Sequence, residues 1–207
     1  MEELQKISVK DFFLQVKNMV ISPKDALKDM GDEGNYGSVA VPQTFLSMAF
    51  VPFAMLIAMV IGANEYISFR SIISMWLVFA GAIMFYYMLI TWGVSKLLWM
   101  LKDSMGFEGT ENEFNRIVVL TFSAFFIGNS VYWLLTFIGS LANLSGYLAP
   151  LLGAGTAGYV LFMGFDSSNF NVPEDKKNIF IGIMVVVPAV ALILFHLLIG
   201  SGGRGMM

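Results

Sequence analysis

Thr156 and His196 are the nearest this sequence comes to a nucleophile and a base. Hydrolysis inside a membrane needs those two groups and an oxyanion site within mutual reach. Threonine is an unusual nucleophile away from a chain N-terminus. His196 lies near one end of an apolar run, where a histidine suits an interfacial hydrogen bond. The chain has no Cys and one His, which leaves no thiolate chemistry, no disulfide and no sulfur or imidazole cluster for a metal. Paired membrane aspartates are also missing: Asp166 stands at a boundary with only Glu174 and Asp175 in its loop. The string Gly153-Ala154-Gly155-Thr156-Ala157-Gly158 satisfies the dinucleotide-binding pattern letter for letter. No strand precedes it, however, and it sits in the middle of a lipid-length apolar stretch. Small residues in that setting let a second helix approach closely. The expectation is a protein that is not an enzyme, with no cofactor and no metal, in which Gly153, Gly155 and Gly158 serve helix packing.

No Asp, Glu, Lys or Arg lies in the middle of any apolar run, and besides His196 the candidate polar groups there are five: Thr91, Ser95, Asn129, Ser130 and Thr156. A proton-coupled pump or charge-selective pore ordinarily keeps a charge at mid-membrane, because such a costly group is retained only for use. Asn129 is the most expensive of the five to bury, so it is expected to find a partner on another helix.

The elements that carry these residues are set by hydropathy. Five uncharged apolar runs, 44–63, 71–95, 117–141, 144–165 and 179–200, each have about the 20 residues needed to cross ~30 Å of hydrocarbon. Hydrophobic residues make up 57% of the chain and charged residues 13%, far below the roughly 25% charged of soluble domains. The expected fold is an all-α membrane protein with five transmembrane helices. Ten of the twelve Lys and Arg residues fall on one side of that topology: Lys6, Lys10, Lys17, Lys24, Lys28, Lys96, Lys102, Arg116, Lys176 and Lys177. Only Arg70 and Arg204 fall on the other. Basic residues are retained in the cytoplasm, so the N-terminus is expected inside and the C-terminus outside. A net charge of −3 gives no signal for nucleic acid.

Residues 1–43 read as a cytoplasmic segment, 44–200 as the membrane domain and 201–207 as a short exported tail. The first 40 residues hold no apolar core of a signal peptide. Val9, Phe12, Phe13, Val16, Met19 and Val20 recur at helical spacing against Lys10, Asp11, Gln15 and Lys17, which predicts an N-terminal amphipathic helix. Its apolar face has two available partners, the membrane interface or the inner ends of the spans. Ser22-Pro23-Lys24-Asp25 has the cap, proline and acidic residue of a helix start, and a short helix to about Met30 is expected before a Gly-rich acidic linker. Thr110 and Glu113 have capping-box spacing, which starts the third membrane helix near Glu111. Pro52 and Pro188 each free a carbonyl and permit a kink.

Two segments carry a family resemblance. Val20-Ile21-Ser22-Pro23-Lys24-Asp25-Ala26-Leu27 looks like the proline-centred segment before the first span in prokaryotic members of the Yip1 domain family. Gly106-Phe107-Glu108-Gly109-Thr110-Glu111-Asn112-Glu113-Phe114 is similar to that family's glycine and helix-cap segment before the third span. From about Phe12 onward the chain resembles these five-span proteins of prokaryotic type. The resemblance implies a non-enzymatic role in a prokaryotic cell membrane. The Asp-Leu-Tyr-Gly-Pro type of segment of eukaryotic members is absent, so small-GTPase binding is not carried over; the proline many members have in the third span is absent as well.

The resulting expectation is a membrane-organising or partner-binding protein. Its partners would be the lipid bilayer and a protein or a second copy of the chain. Phe12, Phe13, Val16 and Lys17, with the loop bearing Phe107 and Phe114, are the candidate contact residues on the cytoplasmic face. The alternative is a passive channel or a small-solute or lipid transporter, lined by the polar and glycine residues of the third and fourth spans.

Overall fold

The computed structural model describes residues 47–57, 60, 68–137, 148–164 and 170–203, with Leu14, Lys17, Asn18, Ile21, Ser22 and Asp25 ahead of them. Among these residues the regular structure is helical apart from a single backbone bridge. The helices are α1 (Ser47–Ile57), α2 (Phe69–Met100), α3 (Lys102–Met105), α4 (Glu111–Phe137), α5 (Leu148–Gly164), α6 (Glu174–Ile181) and α7 (Val187–Gly203). A wide turn, Gly182–Val186, joins α6 to α7. Three stretches, Phe69–Met100, Glu111–Leu135 and Glu174–Phe195, are long and apolar enough to cross a membrane. The shorter apolar helices Ser47–Ile57 and Leu148–Met163 fall within the first and fourth apolar runs.

Local chemistry sets the helix ends. Ser68 caps α2 by accepting the Ser71 N–H at 3.2 Å on its hydroxyl. Gly106, at φ 68°, closes α3 in the left-handed conformation. The N–H groups of Phe107 and Gly106 donate to the Lys102 and Asp103 carbonyls, a glycine-terminated helix end. Thr110 and Glu113 form the reciprocal cap that their spacing predicts. The Glu113 N–H donates to the Thr110 hydroxyl at 3.3 Å, and the Thr110 N–H donates to the Glu113 carboxylate at 2.7 Å. Thr110→Ala removes one half of this cap and is expected to cost about 1 kcal/mol, measured by thermal unfolding in detergent. Pro150 stands third in α5, inside the first turn, where its missing N–H has no partner to lose. Helix α6 begins at Glu174, five residues before the predicted fifth span, because Glu174 and Asp175 suit the positive end of a helix dipole.

Helix α4 is the axis of the bundle. In its most apolar stretch 78% is buried, against 24% for α2 and 33% for the Glu174–Phe195 span. The lateral contacts are specific. Trp76 of α2 donates its indole N–H to the Pro52 carbonyl of α1 at 2.6 Å, and Tyr87 of α2 stacks on Phe126 of α4 at 4.7 Å. Tyr86 of α2 donates to the Ala191 carbonyl of α7 at 2.7 Å and lies over Phe195 at 4.2 Å.

Candidate functional site

Asn129, Ser130, Gly153 and Thr156 fall in a polar seam at mid-bundle, and Phe107 and Phe114 in an aromatic clasp at the end that carries residues 101–110 and 170–173. In the seam, Asn129 is fully buried, and its amide N–H donates to the Tyr87 hydroxyl at 3.1 Å. The expected interhelical partner is therefore a tyrosine of α2. Ser130, one residue on, donates to the Phe126 carbonyl of its own helix at 2.8 Å. A double-mutant cycle of Asn129→Leu with Tyr87→Phe is expected to give a coupling of about 0.6 kcal/mol, as is usual for hydrogen bonds between membrane helices.

The closest approach of two helices is between α4 and α5. A Cβ added to Gly153 would lie 2.7 Å from the Phe125 carbonyl oxygen. One added to Gly128 would overlap the Thr156 hydroxyl and stand 2.9 Å from the Leu152 carbonyl oxygen. Gly153 thus stands at the α4–α5 contact, and Gly155 and Gly158 stand off it. A Cβ on Gly155 would meet no described atom within 4 Å, and one on Gly158 would meet only Val185, at 3.9 Å. The reason is rotational. Each residue turns the helix by 100°, so Gly153 and Gly155 stand 200° apart and cannot share one contact face. Thr156 donates its hydroxyl to the Leu152 carbonyl at 2.9 Å and fills the notch left by Gly128. The side chain of His196 lies outside the described residues.

The clasp is built from Trp99, Phe107, Phe114, Phe170 and Phe180. Phe107 meets Phe180 edge-on at 5.3 Å and Phe170 at 5.8 Å, Phe114 lies 5.4 Å from both Phe170 and Trp99, and Phe170 lies 6.2 Å from Phe180. Backbone closes the lid. The Glu108 N–H donates to the Asn171 carbonyl at 2.9 Å, and the Asn171 N–H returns the bond at 2.8 Å. Lys102 reaches over the Trp99 ring, 4.7 Å from its centroid, and donates to the Gly109 carbonyl at 2.8 Å. Gly109, at φ 134°, leaves no space for a side chain, since a Cβ would come within 2.8 Å of the Phe170 ring.

These contacts correct one expectation. Phe107 and Phe114 were read as contact residues on an outward face, but they are 4% and 1% exposed and belong to the clasp interior. Each gains more from its two neighbouring rings than from solvent. Among the other candidate contact residues, Phe12, Phe13 and Val16 lie outside the described residues, while Lys17 is helical and exposed. Leu14 and Ile21, on the same helical face as Lys17, are also exposed.

Gly128, Tyr87, Phe170 and Phe180 were missed. The Gly128-Asn129-Ser130 triplet, a small and polar interruption of an apolar run, was the available signal for the first of them. The pairing of Phe170 and Phe180 with residues far earlier in the chain leaves no local signal. No family model matches this chain, and no curated protein or solved structure matches it.

Proposed function

We infer that the chain is a five-span membrane protein of Yip1-like, prokaryotic type, with its N-terminus inside and C-terminus outside, that organises membrane or binds a partner through its cytoplasmic face. The ten-to-two distribution of basic residues supports the orientation. Helices α1 and α5 would serve as the first and fourth spans, each extended by neighbouring apolar sequence.

The observation that carries this reading is the seam between α4 and α5. Gly128 and Gly153 bring two backbones into contact beside a fully buried Asn129, so the residues proposed to line a pathway are occupied with one another. What remains available is the surface. On the side read as cytoplasmic it includes Lys17, and Lys96, Asp103, Glu108 and Glu111 around the clasp, all exposed. Removal of residues 1–21 is expected to weaken flotation of the purified protein's partner, or of anionic vesicles bound to it, at least several-fold while the helical signal is retained. Unchanged association would remove this segment from the mechanism.

A transport reading has one observation in its favour. The Asn129 Oδ1, Thr91 Oγ1, Thr121 Oγ1 and Ser123 Oγ atoms are buried without a hydrogen-bond partner among the described residues. Such atoms cost roughly 1–3 kcal/mol each unless something polar reaches them. Solute or lipid flux in proteoliposomes that Asn129→Leu abolishes would replace the surface reading with this one.

A further inference from the structure

Helix α2 turns one side to the bundle and leaves the other bare. Ile83, Tyr87, Val94 and Leu98 are buried in the core. On the opposite side, Phe85, Leu89, Trp92 and Lys96 follow one another at intervals of four, three and four residues, which sets them within about 60° of each other on one stripe. All four are exposed, Trp92 at 65%.

Lys96 is the first charge after the apolar run 71–95. The other bases at this end are engaged or turned inward. Lys102 donates to the Gly109 carbonyl, Lys176 and Lys177 lie 3.5 and 3.6 Å from the carboxylates of Asp175 and Glu174, and Arg116 is buried. Lys96 has no hydrogen bond or ion pair among the described residues, and the Trp92 indole N–H has no acceptor there. The next acid along the chain, Asp103, lies on α3, beyond the end of α2.

With α2 across a bilayer, the stripe is ordered in depth. At 1.5 Å per residue, Trp92 stands about 6 Å and Phe85 about 16 Å from Lys96 along the axis. The second distance is close to half of a ~30 Å hydrocarbon core. A lysine at the end of an apolar stretch extends its ammonium toward the headgroups. Tryptophan favours the layer just beneath, where its ring is in apolar surroundings and its N–H meets an acceptor. A phospholipid presents the matching chemistry in the same order: phosphate, ester carbonyls, acyl chains.

We propose that this stripe seats an anionic phospholipid of the leaflet at the clasp end. The phosphate lies on the Lys96 ammonium, an ester carbonyl accepts the Trp92 indole N–H, and a chain runs along Leu89 and Phe85. Charge decides the occupant. An unpaired cation at the end of a row of exposed apolar side chains complements an acidic headgroup, whereas a zwitterionic headgroup brings a cation of its own. The proposal rests on the membrane-spanning reading and gives its surface a lipid partner.

The parent, Lys96→Gln, Lys96→Arg and Arg70→Gln are each reconstituted in vesicles of equal phosphatidylglycerol and phosphatidylcholine. Only one of the two lipids carries brominated chains, which quench nearby indoles. Subtracting the emission of the matching Trp92→Phe protein isolates Trp92 from Trp76, Trp99 and Trp133. Phosphatidylglycerol is expected to be preferred at Trp92 about fivefold, the effect of one lysine near a lipid surface. Lys96→Gln should bring the preference close to unity and Lys96→Arg should keep it. Arg70→Gln, exposed at the opposite end of α2, should leave it unchanged. Equal quenching by the two lipids in the parent, or a preference that survives in Lys96→Gln, would overturn the lipid site and leave the spanning reading standing. Release of the parent from the vesicles by alkaline carbonate would overturn both.

Discussion

Gly128→Ala is expected to destabilise the folded protein by about 3 kcal/mol, the upper part of the range for an overfilled core. Its new methyl would overlap the Thr156 hydroxyl and stand 2.9 Å from the Leu152 carbonyl oxygen, a backbone atom that cannot rotate away. Gly153→Ala should behave similarly, since its closest neighbour is the Phe125 carbonyl oxygen at 2.7 Å. Two controls make the claim geometric. Adding Thr156→Ala to Gly128→Ala removes the nearest atom and should recover part of the loss, with the Leu152 carbonyl oxygen and the Cβ at position 156, each at 2.9 Å, accounting for what remains. Gly155→Ala meets no described atom within 4 Å and should be neutral or stabilising by a few tenths of a kcal/mol through helix propensity. Chemical or thermal unfolding of the four variants in one detergent is the check. Equal effects at positions 128 and 155 would mean that the α4–α5 seam is elsewhere.

Phe180→Ala is expected to cost about 3–5 kcal/mol, the usual range for deleting a buried phenyl ring. The ring is completely buried and touches both Phe107 and Phe170, so its loss leaves a void bordered by two unsupported aromatics. The damage should be local before it is global. Residues 106–110 depend on the clasp for their position, with Gly109 pressed against Phe170 and Glu108 bridged to Asn171. Hydrogen exchange at the Phe107 and Glu108 amides should therefore accelerate in Phe180→Ala while amides at the centre of α4 hold their protection. Phe180→Leu fills most of the volume and should cost less than half as much. If exchange at 107–108 is unaffected by the alanine variant, the aromatic rings are not what holds the loop.

The parts legible in the sequence were those governed by local rules. Hydropathy located the three long apolar helices, and the Thr110–Glu113 spacing placed the start of α4 at Glu111, where the reciprocal cap is found. Asn129 was expected to seek a partner, and it bonds to Tyr87. Hydropathy gives no sign that the helix leading into the fifth run starts at Glu174, because an apolar criterion cannot see the charged first turn of Glu174 and Asp175. The glycine string divides by rotation about the helix axis. The 100° advance per residue sets Gly153 about 160° from Gly155 and about 140° from Gly158, so of the three only Gly153 faces α4. The clasp was illegible because the contacts that close it join Phe107 and Phe114 to Phe170 and Phe180, more than fifty positions further on, and the same pairing turns Phe107 and Phe114 inward.

The central claim, a sealed bundle whose cytoplasmic surface makes the contacts, is tested most directly by cysteine accessibility in this cysteine-free chain. A cysteine is placed singly at Glu108, which is exposed beside the clasp, and at Asn129, which is fully buried. An impermeant maleimide is then applied to intact cells and to inverted vesicles. The account predicts labelling of Glu108→Cys only in the inverted vesicles, and of Asn129→Cys in neither. Labelling of Asn129→Cys from either side would reveal a water-filled path through the seam, and labelling of Glu108→Cys in intact cells would reverse the orientation. Either result would contradict the account.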